Sequence, residues 1–336
     1  MLQKVRWGVM GVANIAVKKV IPAMQSGQCS RVTAIASRNL QKAQEAAQLL
    51  NIEKAYGSYD ELLADPNVEA IYIPLPNHLH VEWSTRAAEA GKHVLCEKPI
   101  GLTAAEASSL IQVRDRTGVR IEEAFMVRTH PQWIRALKLI DEGRIGKVRA
   151  VTGYFSYFNR DRTNIRNIAD YGGGGLLDIG CYLVFVSRLV FKEEPIRVLG
   201  LMETDPEMKT DILTSAILEF PSGHSVFGCS TQVSPYQRVH IIGVQGRIEI
   251  EIPFNAPPGR SCRVFLDDGS DLLGKRIEVF EVEACDQYTL QGDLFSEAIR
   301  TGGAQVLALE DSIKNMSAID AVARSAVSGK WEKPVK

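Results

Sequence analysis

A chain of 336 residues is too long for one typical hydrophobic core and about right for two. With 45% hydrophobic and 24% charged residues it is ordinary globular material, and a formal net charge of −1 leaves no broad basic field for nucleic acid. No apolar run approaches the roughly 20 residues of a membrane helix. Gly8 and Gly11 break the apolar run behind Lys4 and Arg6 that a signal peptide would need. The six cysteines, at 29, 96, 181, 229, 262 and 285, form no C-x-x-C. The expectation is a soluble cytoplasmic protein with reduced thiols and no membrane or nucleic-acid partner.

In chain order, short apolar runs alternate with helical patterns over the first 125 residues. Strands are expected at Val5–Met10, Val32–Ser37, Ala70–Leu75, His93–Cys96 and Arg120–Phe125. Helices are expected at Leu40–Leu50, Tyr59–Leu63, His80–Ala90 and Ala104–Thr117. The strands are near-continuously apolar, as in a parallel sheet covered on both faces, and strand–helix–strand repetition predicts a doubly wound α/β domain over residues 1–125. Beyond it come a helix at Pro131–Glu142 and strands at Val148–Tyr157, Arg197–Glu203, Ile212–Phe220, Ser225–Val233, Arg238–Val244 and Arg247–Ile252. Helices near Gln287–Arg300 and Leu309–Val327 close the chain. Residues 126–336 thus read as a second, α+β domain with a largely antiparallel open sheet.

The stretch Gly11-Val12-Ala13-Asn14-Ile15-Ala16 follows the first strand and fits G-x-A-x-x-A, a variant of the dinucleotide-binding G-x-G-x-x-G/A. Gly11 permits the tight turn, and Ala16 is small enough for helix–strand packing. Ala13 replaces a glycine, and its methyl predicts a slightly shifted pyrophosphate rather than a lost site. Gly11, Val12, Ala13, Asn14 and Ile15, with the N–H groups of the helix that follows, are the expected pyrophosphate binders. The second strand ends in Ser37 and Arg38, where an acid would hold a free ribose 2′-hydroxyl. A guanidinium fork and a hydroxyl suit a 2′-phosphate, so NADP(H) is expected over NAD(H).

Two stretches carry chemistry. In "HVLCEKPIG", Lys98 leaves the strand at His93–Cys96, and Pro99 biases it to an extended or turn geometry that could aim its amine at the cofactor cleft. Such an amine could stabilise a reacting oxygen in its deprotonated form, although a surface Glu-Lys pair before a proline would look the same. In "DYGGGGLLDIGCYLVF", four glycines leave backbone free to approach a ligand. Asp178 and Tyr182 then fall four apart on one helical face, able to show a carboxylate and a phenol to one substrate. A phenol titrates near pH 10, but a nearby lysine cation favours its phenolate. Against this, Tyr182 could be a core residue and Asp178 a first-turn helix charge. His78 and His80 form an H-x-H pair, but no further ligands stand at suitable spacing, and no metal is expected.

The combination resembles the Gfo/Idh/MocA oxidoreductase family over nearly the whole chain. The resemblance lies in "GVMGVANIA", "PLPNHLHVEWSTRAAEAGKHVLCEKP", "EAFMVRTHPQ" and "GGGGLLDIGCY". With "ASR", the last two look most like the NADP-dependent branch of glucose–fructose oxidoreductase, dimeric dihydrodiol dehydrogenase and D-xylose dehydrogenases. The resemblance implies an N-terminal Rossmann domain and a C-terminal substrate and oligomerisation domain. It makes Lys98 and Tyr182 the catalytic pair, with Asp178 positioning a substrate hydroxyl; many members have histidine in place of the tyrosine. It puts Leu75, Pro76, Asn77, His80, Glu97 and Lys98 around the cofactor, with Lys98–Pro99 often cis. The implied reaction is NADP(H)-dependent hydride transfer at a hydroxyl or carbonyl carbon of a sugar or cyclic polyol, aldose to lactone first. The alternative is a non-catalytic NADP(H)- or carbohydrate-sensing regulator on the same scaffold. A homodimer or homotetramer through the C-terminal sheet is implied; Val226 and Val233 hint at a buried or paired face, which core packing would explain equally well. Specificity is expected in second-domain loops that include Phe155, Phe158, Arg160, Arg162 and Arg166, although a merely solvated loop would carry the same residues.

Overall fold

The computed structural model describes residues 3–271, 273–303 and 307–335. The chain divides into two compact units, with boundaries at Thr129/His130, Cys285/Asp286 and Ile313/Lys314, so that Asp286–Ile313 belongs to the first unit.

The first unit is built on six strands: β1 (Val5–Met10), β2 (Ser30–Ala36), β3 (Lys54–Tyr56), β4 (Ala70–Ile73), β5 (His93–Cys96) and β6 (Ile121–Glu123). They are parallel and lie in the order β3-β2-β1-β4-β5-β6. The order reverses between β1 and β4, which opens the ligand crevice of a doubly wound sheet at the carboxyl ends of those strands. The helices between them are α1 (Ile21–Ser26), α2 (Leu40–Leu50), α3 (Tyr59–Ala64), α4 (His80–Glu89) and α5 (Ala104–Thr117). Side-chain caps start three of them: Asn39 accepts from Lys42 N–H, Ser58 from Glu61 N–H and Thr103 from Glu106 N–H. Strand β3 and helix α1 carry too little apolar periodicity to show in the sequence. α1 is preceded by a single π turn at Ala16–Val20.

Helix α8 (Gln287–Thr301) completes this unit rather than the second. Trp7 on β1 is fully buried, lies tilted against Phe295 at 5.4 Å and donates its indole N–H to Ser296 Oγ at 3.0 Å. The Asp293 carboxylate accepts the N–H groups of Gln28 (2.7 Å) and Cys29 (2.8 Å) at the start of β2. An apolar sheet face needs cover, and texture along the chain does not say which helix supplies it.

The second unit holds α6 (Pro131–Asp141) and the strands β7 (Val148–Phe158), β8 (Arg197–Thr204), β9 (Asp211–Glu219), β10 (His224–Ser230), β11 (Gln232–Gly243), β12 (Arg247–Ile250), β13 (Cys262–Asp267) and β14 (Glu278–Val282). The sheet order is β14-β13-β12-β11-β7-β10-β9-β8, antiparallel except for β7–β10. The run expected as one strand over 225–233 is broken at Thr231. There Ser230 Oγ accepts Gln232 N–H (3.1 Å) and donates to Ile212 O (2.6 Å), turning the chain into β11.

One face of this sheet carries α7 (Cys181–Phe191), entered through a π turn at Leu176–Gly180. The helical stretch Ala169–Phe191 is long and apolar enough to cross a membrane, contrary to the expectation that no such run exists. With 89% of its most apolar window buried inside the fold, it is a core helix. Helix α9 (Leu309–Ser328) ends the chain's regular structure.

Candidate active site

In the first unit, Gly11 follows β1 at φ +111, a conformation open to glycine, and a β-carbon there would lie 3.1 Å from Leu75 Cδ2. Helical bonding begins at once, Val17 N–H donating to Ala13 O at 3.0 Å. The N–H groups of the first turn therefore have no carbonyl behind them and can hold a phosphate. Val12, Ala13 and Ile15 are half-buried and Asn14 is exposed.

Ser37 and the exposed Arg38 follow β2. Burial pushes the Tyr59 phenol up, and the Arg38 guanidinium beside it pulls it partly back. Tyr59 Oη also lies 3.8 Å from where a Gly11 β-carbon would stand, so turn, guanidinium and phenol are neighbours. Nothing in the sequence signalled Tyr59.

The loops after β4 and β5 are braced together. His80 is fully buried, its Nδ1 2.7 Å from Pro99 O and its Nε2 2.7 Å from Leu75 O. The carbonyls favour a proton, burial opposes it more strongly, and the imidazole pKa falls to about 4. The expectation that His80 touches cofactor therefore needs correction. Its ring is enclosed between two backbone carbonyls, to one of which the neutral imidazole donates, so it shapes the loops that carry Leu75 and Lys98 instead. Tyr72, fully buried on β4, donates to Glu97 Oε1 at 2.6 Å and fixes the carboxylate next to Lys98, a partner that sequence reasoning missed. The Lys98–Pro99 bond is cis, and Ile100 N–H donates to Glu123 Oε1 at 2.8 Å. Pro76 and Asn77 sit half-buried at the short turn Asn77–Leu79.

In the second unit, Asp178 and Tyr182 lie on neighbouring turns, in the π turn and in α7, and both are buried, at 8% and 5% exposure. Asp178 Oδ2 accepts the Tyr157 hydroxyl at 2.6 Å, and Oδ1 accepts Arg166 Nε–H at 3.0 Å. Burial, followed by the Asp178 charge, raises the Tyr157 phenol far above its ordinary value, so it donates at all working pH. The Tyr182 ring packs edge-on against Phe155 (5.9 Å) and tilted against Phe254 (5.3 Å). Phe155 and Tyr157 are two apart on β7 and Asp178 and Tyr182 four apart along the helix. Those spacings are about 6.6 and 6 Å, which lets one strand face receive both side chains.

Two expectations change here. The four glycines do not form an open ligand cradle. A β-carbon on Gly173 would lie 2.5 Å from Arg166 O, and one on Gly174 2.0 Å from Asp211 Oδ1, so the turn is pressed against its own chain. Of the residues expected in specificity loops, Phe155 and Phe158 lie on β7, and Phe155 is core. Alternation along the strand turns Phe158 outward. Arg160 and Arg162 are in the loop, near the Asp205 carboxylate, and Arg162 pairs with Glu207. Arg166 joins Asp178. Among the described residues no group of three His, Cys, Asp or Glu could hold a metal ion.

The comparisons with known proteins agree with this architecture. Residues 5–125 match the family model of an oxidoreductase family with an NAD-binding Rossmann fold, and residues 133–249 that of the GFO/IDH/MocA C-terminal domain. An uncharacterized oxidoreductase of Rhizobium meliloti is 49% identical, with 98% of each chain covered. A D-xylose 1-dehydrogenase (NADP(+)) of Haloferax volcanii is 37% identical over 96% of this chain and 98% of its own. A 3-ketoreductase from Actinomadura kijaniata, solved with NADP and TDP-benzene, superposes with a TM-score of 0.89 at 30% identity, covering 96% of this chain and 98% of that one. A dinucleotide turn in one unit, a carboxylate and a phenol on one buried helix of the other, and relatives of this similarity along nearly the full length lead to one assignment. The chain is an oxidoreductase of the Gfo/Idh/MocA family.

Proposed function

We propose that this protein is an NADP(H)-dependent oxidoreductase acting at a hydroxyl or carbonyl carbon of a sugar or cyclic polyol, with oxidation of an aldose to its lactone as the leading reaction. The observation that carries the reading is the Asp178 carboxylate, held by Tyr157 and Arg166 one turn before an aromatically packed Tyr182. Carboxylate and phenol are the pair needed to orient one hydroxyl and deprotonate its neighbour. The Haloferax volcanii relative, a D-xylose 1-dehydrogenase (NADP(+)), supports the cofactor and substrate class.

In this reading Gly11, Val12, Ala13, Asn14 and Ile15 bind the pyrophosphate, and Ser37 and Arg38 the 2′-phosphate. Leu75, Pro76, Asn77 and Glu97 border the nicotinamide end. The bound nicotinamide supplies a hydride acceptor in oxidation and a hydride donor in reduction. Tyr182 Oη takes the proton of the reacting hydroxyl. The Lys98 ammonium favours the anionic phenol and the developing alkoxide, and Asp178 accepts a hydrogen bond from a substrate hydroxyl. The outward face of the second sheet, with Leu201, Val226, Val233 and Tyr236 exposed, serves a cytoplasmic homodimer or homotetramer.

The test is absorbance at 340 nm with both cofactors against a panel of aldoses, ketoses and cyclic diols. Turnover of an aldose with NADP+ in preference to NAD+ is expected, and Lys98→Met should nearly abolish it while NADPH still binds. Tight NADPH binding without turnover of any member of the panel would overturn the reading in favour of a sensor.

A further inference from the structure

We propose that Asp211 is a positioning residue of this reaction, holding the glycine turn from which Asp178 and Tyr182 are presented; this rests on the roles assigned to those two residues above. The helical segment beginning at Leu176 has no side-chain cap of its own, because its N-cap residue is Gly175. Its first N–H groups need an acceptor. Asp211, the first residue of β9, supplies one from 35 residues away: Oδ2 accepts Leu176 N–H at 2.7 Å and the Thr214 hydroxyl at 2.8 Å. Thr214 is itself fully buried.

The fit is close on both sides of the turn. Gly174, at φ +119, passes where a β-carbon would lie 2.0 Å from Asp211 Oδ1, and a β-carbon on Gly175 would lie 3.2 Å from Oδ2. On the opposite side Gly174 N–H donates to Arg166 O at 2.8 Å. Arg166 is also the residue whose Nε–H grips Asp178. The turn is thus held between the Asp211 carboxylate and the Arg166 backbone, and Asp178 N–H donates to Gly174 O at 3.1 Å directly within it. Burial raises the Asp211 carboxyl, opposed by the Thr214 hydroxyl and the N–H groups of Leu176 and Gly175. A negative charge at a helix N-terminus is favourable in itself. Through the turn, the direction of the Asp178 carboxylate and the seat of the Tyr182 ring depend on the Asp211 side chain.

The test compares Asp211→Ala and Asp211→Asn with the parent, using backbone amide exchange, NADPH affinity, kcat and KM. Asparagine keeps an oxygen for Leu176 N–H, and alanine does not. In Asp211→Ala, exchange across 174–182 should rise about tenfold or more, and kcat should fall about 10- to 100-fold, as for an ångström-scale misplacement. NADPH affinity should stay within about twofold, and Asp211→Asn should recover most of both losses. An alanine variant with parental exchange in 174–182, or one with loosened exchange but kcat within about twofold of the parent, overturns the proposal. If the parent turns over no hydroxyl or carbonyl substrate, the reaction reading fails and with it the catalytic role of Asp211. The exchange rates still decide separately whether Asp211 holds the turn.

Discussion

The Tyr157 hydroxyl donates to Asp178 Oδ2 at 2.6 Å, joining a central strand of the second sheet to the helical turn it supports. Twenty-one residues separate the two in sequence, and the packing of the helical segment on β7 brings them together. Replacing Tyr157 by Phe removes that donor from the buried carboxylate. A hydrogen bond to a charged group contributes about 1.5–3 kcal/mol. Tyr157→Phe should therefore lower the denaturant-unfolding free energy by an amount in that range and reduce kcat about tenfold or more. Unchanged kinetics in a folded variant would show that Asp178 needs no such support.

Gly174→Ala should be among the most damaging single-methyl changes in the protein. Its φ of +119 is strained for any L side chain, and the new carbon would meet Asp211 Oδ1. A loss of roughly 2 kcal/mol or more is expected in the unfolding free energy. A denaturation midpoint equal to the parent's would contradict the tight turn.

Arg38→Ala should erase preference between cofactors rather than binding in general. A guanidinium–phosphate pair is worth about 1.5–3 kcal/mol, so the ratio of kcat/KM for NADP+ over NAD+ should drop about 10- to 100-fold. An equal fall for both cofactors would place Arg38 elsewhere in the site.

Stability should climb with pH between 4 and 6.5 because of His80. Its folded pKa of about 4 lies below the ordinary 6.5, so the unfolded chain binds the proton more tightly. Stability conferred by the neutral ring is fully present above pH 6.5 and is lost as pH falls towards 4, on the order of 3 kcal/mol in all. His80→Asn cannot titrate there, so its deficit against the parent should shrink over that interval. A constant deficit from pH 7 to pH 4 would exclude His80 as the titrating group.

Much of this protein was legible before any coordinates. Strands β1 and β5 and helices α2 and α5 have the bounds read from apolar periodicity. The short strand β13 and the edge strand β14 were missed, and β10 ran on into β11, because a turn made by the Ser230 hydroxyl leaves no glycine or proline to mark it. The glycine turn, the Ser37-Arg38 pair, Lys98, Asp178 and Tyr182 stood out because each is a local pattern. Tyr72, Tyr157 and Asp211 did not.

What the sequence determined by itself is therefore whatever is encoded within a few residues: strand and helix periods, the dinucleotide turn and the strand–helix alternation of a doubly wound sheet. Only the tertiary structure decided that His80 braces two loops, that Asp178 answers to Tyr157 and Arg166, and that Gly174 and Gly175 close on Asp211. Periodicity is set by backbone geometry and repeats along the chain. A hydrogen bond between residues 21 or 35 positions apart is set by sheet register and helix packing, which no local pattern records.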